Sequence, residues 1–155
     1  MRAELQPLDV AHVARLRELR QQPEVARWWG PIERGFPFDE PEALRFAIVS
    51  DGQVAGMLQV GEEKWPDGRH AWIDIFVGDD FSGRGIGSAA VKQAADMLIA
   101  ERGHHRVTID PHAANAAAIR CYEKAGFQRV GVIHSAFRTP GGEWVDELLM
   151  ELVAL

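Results

Sequence analysis

A strand that runs through a glycine-rich turn into a helix constrains the fold and the ligand of this chain more than any other stretch. Residues 71–77 are mostly apolar, glycines stand at alternate positions from Gly83 to Gly87, and an apolar stripe at helical spacing follows. Glycine has no Cβ, so backbone N–H groups in such a turn can crowd around an anion. The start of the helix adds unpaired N–H groups and the positive end of its dipole, and Arg84 adds a permanent positive charge. The stretch therefore predicts a phosphate-bearing ligand held at residues 83–88.

Two other kinds of phosphate-binding turn fit these residues less well. A Walker A loop requires Gly-x-x-x-x-Gly-Lys and then Ser or Thr, and the chain contains no such string. The dinucleotide fingerprint is nearer, since Gly83-x-Gly85-x-x-Ser88 opens a helix. Its first glycine should follow the strand directly, however, and residues 78–82 intervene here. A turn with a purely structural role is the remaining alternative.

Periodicity along the chain predicts an α+β fold in one domain, residues 1–155. It predicts helices at residues 10–20, 23–29, 86–102 and 115–125. It predicts strands at residues 2–8, 45–50, 54–60, 71–77, 106–110, 127–136 and 143–152. Asp51-Gly52 is a strong hairpin signal, and the two strands that flank the third helix should lie parallel. The expected architecture is a mixed, mostly antiparallel sheet flanked by helices, with a long loop from residue 30 to residue 41.

Composition narrows the classes of function. The net charge of −6 argues against nucleic acid or an anionic membrane as the main partner and suits a cationic substrate. The sequence has neither a run long enough to span a membrane nor the apolar core of a signal peptide, so we expect a cytoplasmic protein. The single cysteine excludes an internal disulfide, the histidines lack metal-ligand spacing, and no metal is expected. The pairs Asp39-Glu40 and Glu62-Glu63 have the pattern of surface charge beside loops that could admit a polycation, and His104-His105 has that of a solvated loop.

Two blocks of the sequence resemble the GNAT acetyltransferase superfamily. Residues 79–88, Asp-Asp-Phe-Ser-Gly-Arg-Gly-Ile-Gly-Ser, are similar to its acyl-CoA pyrophosphate loop. Residues 115–127 are similar to its second CoA-binding helix, with Asn115 and Tyr122 seven residues apart. The family's leading Gln or Arg falls on Ser82, so one customary phosphate contact is missing or replaced. The resemblance implies a single GNAT-like domain that transfers acetyl from the co-substrate acetyl-CoA to an amine.

The resemblance also implies which residues would hold acetyl-CoA. The pyrophosphate would contact the N–H groups of the turn, and the pantetheine arm would pair with the strand at residues 75–77 like an added strand. Asn115 would bind the pantetheine amide. Tyr122 would protonate the leaving thiolate, unless it is an ordinary helix aromatic packed on the sheet. The cofactor-binding residues implied are Ile75, Phe76, Val77, Gly83, Arg84, Gly85, Ile86, Gly87, Ser88 and Asn115.

Asp74 is the residue whose surroundings in the sequence most strongly indicate a chemical role. With Trp72 and Phe76 it points to one face of its strand, and a carboxylate between two large aromatic residues is costly unless it is paired or used. Desolvation there would raise its pKa toward the range of a useful base. We predict that Asp74 deprotonates the attacking amine or anchors its ammonium group. The alternative is a buried salt bridge to an arginine such as Arg45 or Arg106.

A narrower set of residues resembles the aminoglycoside 6'-N-acetyltransferases. The matching strings are Trp28-Trp29-Gly30, Ile73-Asp74 and Ile109-Asp110-Pro111. The resemblance implies a substrate pocket that contains Trp28, Trp29, Asp74 and Asp110, although tandem tryptophans can equally be buried in a core. It implies an aminoglycoside 6'-amino group as the acceptor.

Two alternatives to that function stay open at the level of sequence. N-acyltransferases of siderophore synthesis share the tryptophan pair, so a lysine-like, siderophore-type or polyamine amine is the alternative acceptor. A CoA-binding module without catalysis is the other alternative, and Ser82 is its support. Either a monomer or a homodimer is compatible with the sequence.

Overall fold

One mixed sheet organises residues 2–155, the part of the chain that the computed structural model describes. Its strands are β1 (Glu4–Pro7), β2 (Leu44–Ser50), β3 (Gln53–Glu63), β4 (His70–Val77), β5 (Arg106–Ile109), β6 (Gln128–Arg138) and β7 (Trp144–Val153). The helices are α1 (Val10–Arg20), α2 (Pro23–Trp29), α3 (Ile86–Ala100) and α4 (Ala116–Lys124). The strands lie in the order β1-β2-β3-β4-β5-β7-β6. These elements confirm the predicted α+β class and the mostly antiparallel sheet flanked by helices.

Local sequence signals set the ends of the helices. The Asp9 carboxylate caps α1 by accepting from the Ala11 N–H at 2.9 Å, and His12 Nδ1 accepts from the Asp9 N–H at 3.0 Å. The helix α2 begins at Pro23 and ends at Trp29, and it is capped by Gly30, whose φ of 74° a residue with a side chain rarely adopts. The predicted bounds of α1 and α2 are therefore confirmed.

The strands β4 and β5 are the one parallel pair among the described residues, as predicted, and they separate soon after they begin. Their pairing is limited to Ala71 with Val107 and Trp72 with Thr108. β5 is short and is followed by Pro111, whose backbone lacks the N–H group needed to continue a ladder of hydrogen bonds. A cleft therefore opens between the second half of β4 and the chain that leaves β5.

Helices packed on the sheet hold β4 in a rigid frame. α1 contacts β3, and α3 contacts β4. The buried apolar residues that these two helices contribute are Leu16, Leu19, Ile86, Ala90, Val91, Ala94, Ala95 and Leu98. Such a packed core keeps β4 in place, so the side chains along its cleft edge have fixed positions.

The prediction that Glu62 and His104 lie on a solvated surface was wrong. His104 is only 2% exposed, and its Nε2 lies 2.7 Å from Glu62 Oε2. Arg102 Nη2 donates to Glu62 Oε1 at 2.7 Å, and this hydrogen bond is the main reason that the pKa of Glu62 is lowered to about 2. The cluster ties β3 to the turn between α3 and β5, a long-range contact that a local charge pattern does not indicate.

Candidate functional site

Three neighbouring cavities line the cleft between β4 and β5. The acidic cavity, of about 260 Å³, has Asp74, Asp110 and Glu147 in its wall. The central cavity, of about 240 Å³, shares Tyr122 with the acidic cavity. The turn cavity, of about 350 Å³, lies at the glycine turn and shares Cys121 with the central cavity. Because neighbouring cavities share walls, they form one path from the three carboxylates to the start of α3.

The backbone at the turn cavity adopts a conformation that glycine permits. Gly83 and Gly85 have φ angles of 74° and 79°, in the left-handed region. A Cβ added at either position would meet no atom of the described residues within 4 Å, so backbone conformation rather than crowding requires glycine there. Gly87 differs, because a Cβ there would lie 3.2 Å from Cys121 Sγ. Gly87 therefore serves the close packing of α3 against α4.

The start of α3 offers an anion site made mainly of backbone. No side chain of the described residues caps this helix, so its first N–H groups remain available. Ile86 and Ser88 line the turn cavity with the three glycines, and Ser82 lies beside them. Arg84 does not line this cavity, since its guanidinium carbon lies over the Phe81 ring, 5.7 Å from the centroid.

The edge of β4 that faces the cleft is unpaired beyond Trp72 among the described residues. Ile75, Phe76 and Val77 pair with β3 on their other side, and all three line the central cavity. The N–H and C=O groups on the cleft side can therefore pair with an extended ligand, as an added strand would. This free edge fits the pantetheine arm that the sequence implied.

The helix α4 brings Asn115 and Tyr122 to the cleft, where both line the acidic and central cavities. The Asn115 side-chain oxygen caps the helix by accepting from the Ala118 N–H at 3.1 Å, which leaves its NH₂ group as a donor. Tyr122 is 8% exposed. Burial, and then the neighbouring Cys121 and Asp74, raise the pKa of its phenol above the ordinary value. Tyr122 is thus both packed on the sheet and present in the cavity walls, as a neutral hydroxyl.

Asp74 faces the acidic cavity with a strongly perturbed carboxyl group. Burial first, and then the charges of Asp110 and Glu40, raise its pKa from 3.8 to about 6. The direction is the one predicted from the strand pattern. At neutral pH such a group is still ionised, but it holds a proton far better than an exposed aspartate.

The two arginines considered as partners of Asp74 lie elsewhere. Arg106 Nε donates to Glu151 at 3.0 Å. The guanidinium carbon of Arg45 lies 5.6 Å from the centroid of the Phe38 ring. Because no ion pair neutralises Asp74 within residues 2–155, the salt-bridge alternative is wrong.

Two further carboxylates face Asp74 across the acidic cavity. Asp110 follows β5, and burial raises its pKa above the ordinary value. Glu147 lies on β7, and burial, followed by the charges of Asp110 and Asp74, raises its pKa to about 7. Our reading of the sequence missed Glu147. It reaches the cavity because β7 pairs with β5, so strand alternation alone could not have indicated it.

Trp28 and Trp29 line the wall of both the acidic and the central cavities, and Trp29 also packs against the core. The Trp28 and His112 rings are tilted against each other, with centroids 5.5 Å apart, and the Trp29 ring meets the Phe76 ring edge-on at 5.3 Å. Both tryptophans remain half-buried. Arginines lie over both rings, Arg27 at 4.6 Å from the Trp28 centroid and Arg20 at 5.1 Å from the Trp29 centroid. The exposed parts of the two rings can still contact a ligand in the cleft, for example the apolar face of a sugar ring.

A fully buried arginine on α1 holds this wall in place. Arg20 donates to the carbonyls of Trp29, Gly30 and Pro31 at 2.8–3.3 Å. The same guanidinium pairs with Glu33 at 3.1 Å, and Glu33 is itself part of the acidic cavity wall. Arg20 thus joins the end of α2 to the loop that follows and sets one side of the cavity.

Among residues 2–155, no group of three or more His, Cys, Asp or Glu side chains is arranged to hold a metal ion. No helix in this range is long and apolar enough to cross a membrane.

Comparison with known proteins gives the family and several relatives. The profile of the Acetyltransferase (GNAT) family matches residues 10–127. A streptothricin acetyltransferase of Streptomyces lavendulae is 30% identical over 121 residues, which are 77% of this chain and 63% of that protein. A kanamycin resistance protein of Rhizobium radiobacter is 38% identical over 60 residues, 39% of this chain and 52% of that protein. The chain therefore spans less than two thirds of the length of these curated relatives.

Solved structures share the fold over nearly the whole chain. The aminoglycoside acetyltransferase AAC(6')-Ib in complex with coenzyme A has a TM-score of 0.77 at 24% identity, covering 98% of this chain and 95% of that one. The spermidine N-acetyltransferase of Vibrio cholerae, in complex with CoA and spermine, has a TM-score of 0.81 at 18% identity, covering 97% and 95%. At such identities the likeness shows the fold alone. The family profile matches most of the length of this chain, and the chain therefore belongs to the acetyltransferase (GNAT) family.

Proposed function

We propose that this protein is an acetyl-CoA-dependent N-acetyltransferase that acts on a small cationic amine, with an aminoglycoside 6'-amino group as the first candidate. The observation that carries the proposal is the path of cavities along the cleft. At one end lie three carboxylates with raised pKa values, and at the other lies the uncapped start of α3. An amine and a phosphate-bearing acyl donor could meet between them, beside Tyr122.

Two features of the chain fit acetyl-CoA. The backbone N–H groups at residues 83–88 would hold the pyrophosphate, and the free edge of β4 at residues 75–77 would pair with the pantetheine arm. Asn115 would donate its side-chain N–H to that arm. When bound, acetyl-CoA supplies the activated acetyl thioester. Its use would place the reaction in the cytoplasm, as the sequence predicts.

Asp74 would remove the proton that keeps the acceptor amine unreactive. Most amines arrive as ammonium ions, and nitrogen must lose a proton before it can attack a carbonyl. A carboxylate with a pKa of about 6 is mostly ionised at pH 7 and is a stronger base than an ordinary aspartate. The same charge would hold the ammonium group before transfer, so base and anchor are two stages of one role.

Tyr122 would supply the proton at the other end of the reaction. Its buried phenol has a raised pKa, so the hydroxyl is protonated at neutral pH and can donate to sulfur as the C–S bond breaks and negative charge develops there. It lies in the wall shared by the acidic and central cavities, where the leaving group would depart. Asp74 and Tyr122 therefore divide proton removal and proton donation between them.

The walls of the acidic cavity favour an acceptor with several positive charges and a ring or chain that can contact aromatic residues. Asp74, Asp110 and Glu147 supply the negative charge, and the exposed parts of Trp28 and Trp29 supply aromatic surface. A relative named for kanamycin resistance supports an amino-sugar acceptor. The spermidine N-acetyltransferase among the structural neighbours supports a polyamine as the second candidate.

A panel of acceptors tests the proposal. Purified protein is mixed with acetyl-CoA and either kanamycin, spermidine or N6-hydroxylysine, and free thiol release is followed with a chromogenic reagent. We expect the fastest release with kanamycin, and acetylation of the 6'-amino group by mass spectrometry and NMR. Turnover only on spermidine, or only on N6-hydroxylysine, would show that this amine is the acceptor and that an aminoglycoside is not. Binding of CoA without turnover on any amine would show a non-catalytic CoA-binding module.

A further inference from the structure

His112 lies in the wall of the acidic cavity, and its side chain takes no part in the proposed proton transfers. The backbone on both sides of it is hydrogen-bonded to β7. The Pro111 carbonyl accepts from the Leu148 N–H at 2.9 Å, and the Ala113 N–H donates to the Asp146 carbonyl at 2.9 Å. The backbone of His112 is therefore held firmly at the edge of the cavity.

Three contacts orient the imidazole ring of His112. Its Nε2 lies 3.0 Å from the Trp28 carbonyl oxygen. Its centroid lies 5.5 Å from that of the Trp28 ring and 5.7 Å from that of the Phe137 ring, at interplanar angles of 52° and 77°. A ring held by a hydrogen bond and by two aromatic neighbours cannot turn without losing these contacts, so its second nitrogen has a fixed direction.

The hydrogen bond to Trp28 decides which nitrogen carries the proton when the ring is neutral. A carbonyl oxygen only accepts, so Nε2 is the donor and Nδ1 keeps its lone pair. Nδ1 forms no hydrogen bond with any of residues 2–155, and it is not among their buried polar atoms that lack a partner, so it is open to solvent. The acidic cavity thus has a neutral hydrogen-bond acceptor in addition to its three carboxylates.

On the basis of the proposed function, we infer that His112 Nδ1 accepts a hydrogen bond from a hydroxyl group beside the reacting amine of the acceptor. Asp74, Asp110 and Glu147 supply the stronger, charge-assisted partners for ammonium groups. A neutral donor therefore remains for Nδ1. An amino sugar carries such a donor, a hydroxyl group, next to its amine, and spermidine has none.

His112 would then separate acceptors that the carboxylates cannot separate. Negative charge attracts polyamines and amino sugars alike, whereas a lone pair in a fixed direction favours a ligand with a hydroxyl group within reach. Kanamycin B and 3',4'-dideoxykanamycin B carry the same amino groups and differ only in two hydroxyl groups near the 6'-amine. Wild-type protein should bind kanamycin B about fivefold more tightly, since a hydrogen bond between neutral groups makes a modest net contribution.

Two substitutions separate the roles of the two ring nitrogens. In His112→Gln the amide nitrogen can replace Nε2 as the donor to Trp28, but no acceptor remains at the position of Nδ1. In His112→Asn the amide oxygen can replace Nδ1, but the side chain is too short to reach Trp28. His105→Gln is the matched control, because His105 is exposed and lies outside the cavity wall.

Isothermal titration calorimetry of both ligands on CoA-saturated protein tests this assignment. We expect His112→Gln to bind kanamycin B about fivefold more weakly than the wild type does, while its affinity for the dideoxy compound stays within about twofold. His112→Gln should therefore have lost the preference for kanamycin B. His112→Asn should retain the preference, and His105→Gln should match the wild type in both affinities.

Nitrogen NMR of isotope-labelled protein gives a readout that does not depend on affinity. The signals of His112 are those that disappear in His112→Gln. In the neutral ring, Nδ1 should have the chemical shift of an unprotonated nitrogen, and this shift should change with kanamycin B far more than with the dideoxy compound. A neutral ring with its proton on Nδ1 would refute the inference.

The calorimetry has four outcomes that would overturn the inference. Equal affinity of the wild type for the two ligands would mean that no hydroxyl group reaches Nδ1. Equal weakening of both ligands in His112→Gln would assign the contact to an ammonium group. A preference that survives in His112→Gln and disappears in His112→Asn would assign it to the bond with Trp28. Absence of binding of either ligand to the wild type would refute the proposed function itself, which distinguishes that failure from the other three.

Discussion

The pH dependence of acetyl transfer is the sharpest test of the role of Asp74. A base must be ionised to accept a proton, and the pKa of this carboxyl is raised from 3.8 to about 6. With that pKa, roughly nine tenths of the group is ionised at pH 7 and roughly one tenth at pH 5. A carboxyl with an ordinary pKa would be almost fully ionised at both. We therefore expect kcat/KM at pH 5 to be about one tenth of its value at pH 7.

Initial rates of thiol release between pH 4.5 and pH 8 give this profile, with circular dichroism as the check that the protein stays folded at the acid end. Asp74→Asn should lower kcat/KM by about 10²- to 10⁴-fold and leave the affinity for CoA nearly unchanged. It should also abolish the acid limb of the profile, which is the fall in kcat/KM between pH 7 and pH 5. Glu147→Gln is the control for a second carboxyl, because the pKa of Glu147 is raised to about 7. An acid limb that survives Asp74→Asn, or one that disappears in Glu147→Gln, would refute the assignment.

Three other substitutions test separate parts of the molecule. Tyr122→Phe should lower kcat roughly ten- to a hundredfold at unchanged unfolding free energy, whereas loss of folding in urea titrations would show a packing role. Glu62→Gln should lower the unfolding free energy by about 3 kcal/mol at pH 7, because the folded-state pKa of Glu62 is lowered from 4.5 to about 2. That difference should persist above pH 4.5 and disappear as the pH falls toward 2, and a difference independent of pH would contradict the ion-pair explanation. Gly85→Ala should weaken CoA binding about tenfold in calorimetry, because an L-residue resists a φ of 79°. The control is Gly131→Ala, at a position without positive φ. Equal CoA affinities of the two variants would contradict the argument.

The local elements of this fold follow from residues that are neighbours in the chain. Asp9 and His12 close the first turn of α1 by themselves, and Asp51-Gly52 closes the β2–β3 hairpin. The conformation of the glycine turn is likewise a local matter, because Gly83 and Gly85 adopt positive φ without any tertiary contact that requires it. These elements could be predicted because each depends on interactions over a few residues.

The composition of the acidic cavity could not be predicted from interactions over a few residues. The alternation in β4 indicated that Asp74 would be desolvated, but not that it would lack a partner. Glu147 comes from a strand near the end of the chain and joins Asp74 and Asp110 only because β7 inserts between β5 and β6. The raised pKa values of the three carboxyls are therefore a property of the assembled sheet, since each depends on burial and on charges from other strands.

The helices and strands, the glycine turn and the apolar surroundings of the carboxylate in β4 can be predicted from sequence alone, because contacts between near neighbours govern them. Contacts between distant parts of the chain govern where β4 and β5 separate, which carboxylates meet, and how Arg20 holds the tryptophan wall. Such contacts also make Glu62 and His104 buried partners rather than surface charge. These features depend on residues far apart in the chain, whose burial and mutual charge exist only once the sheet has formed.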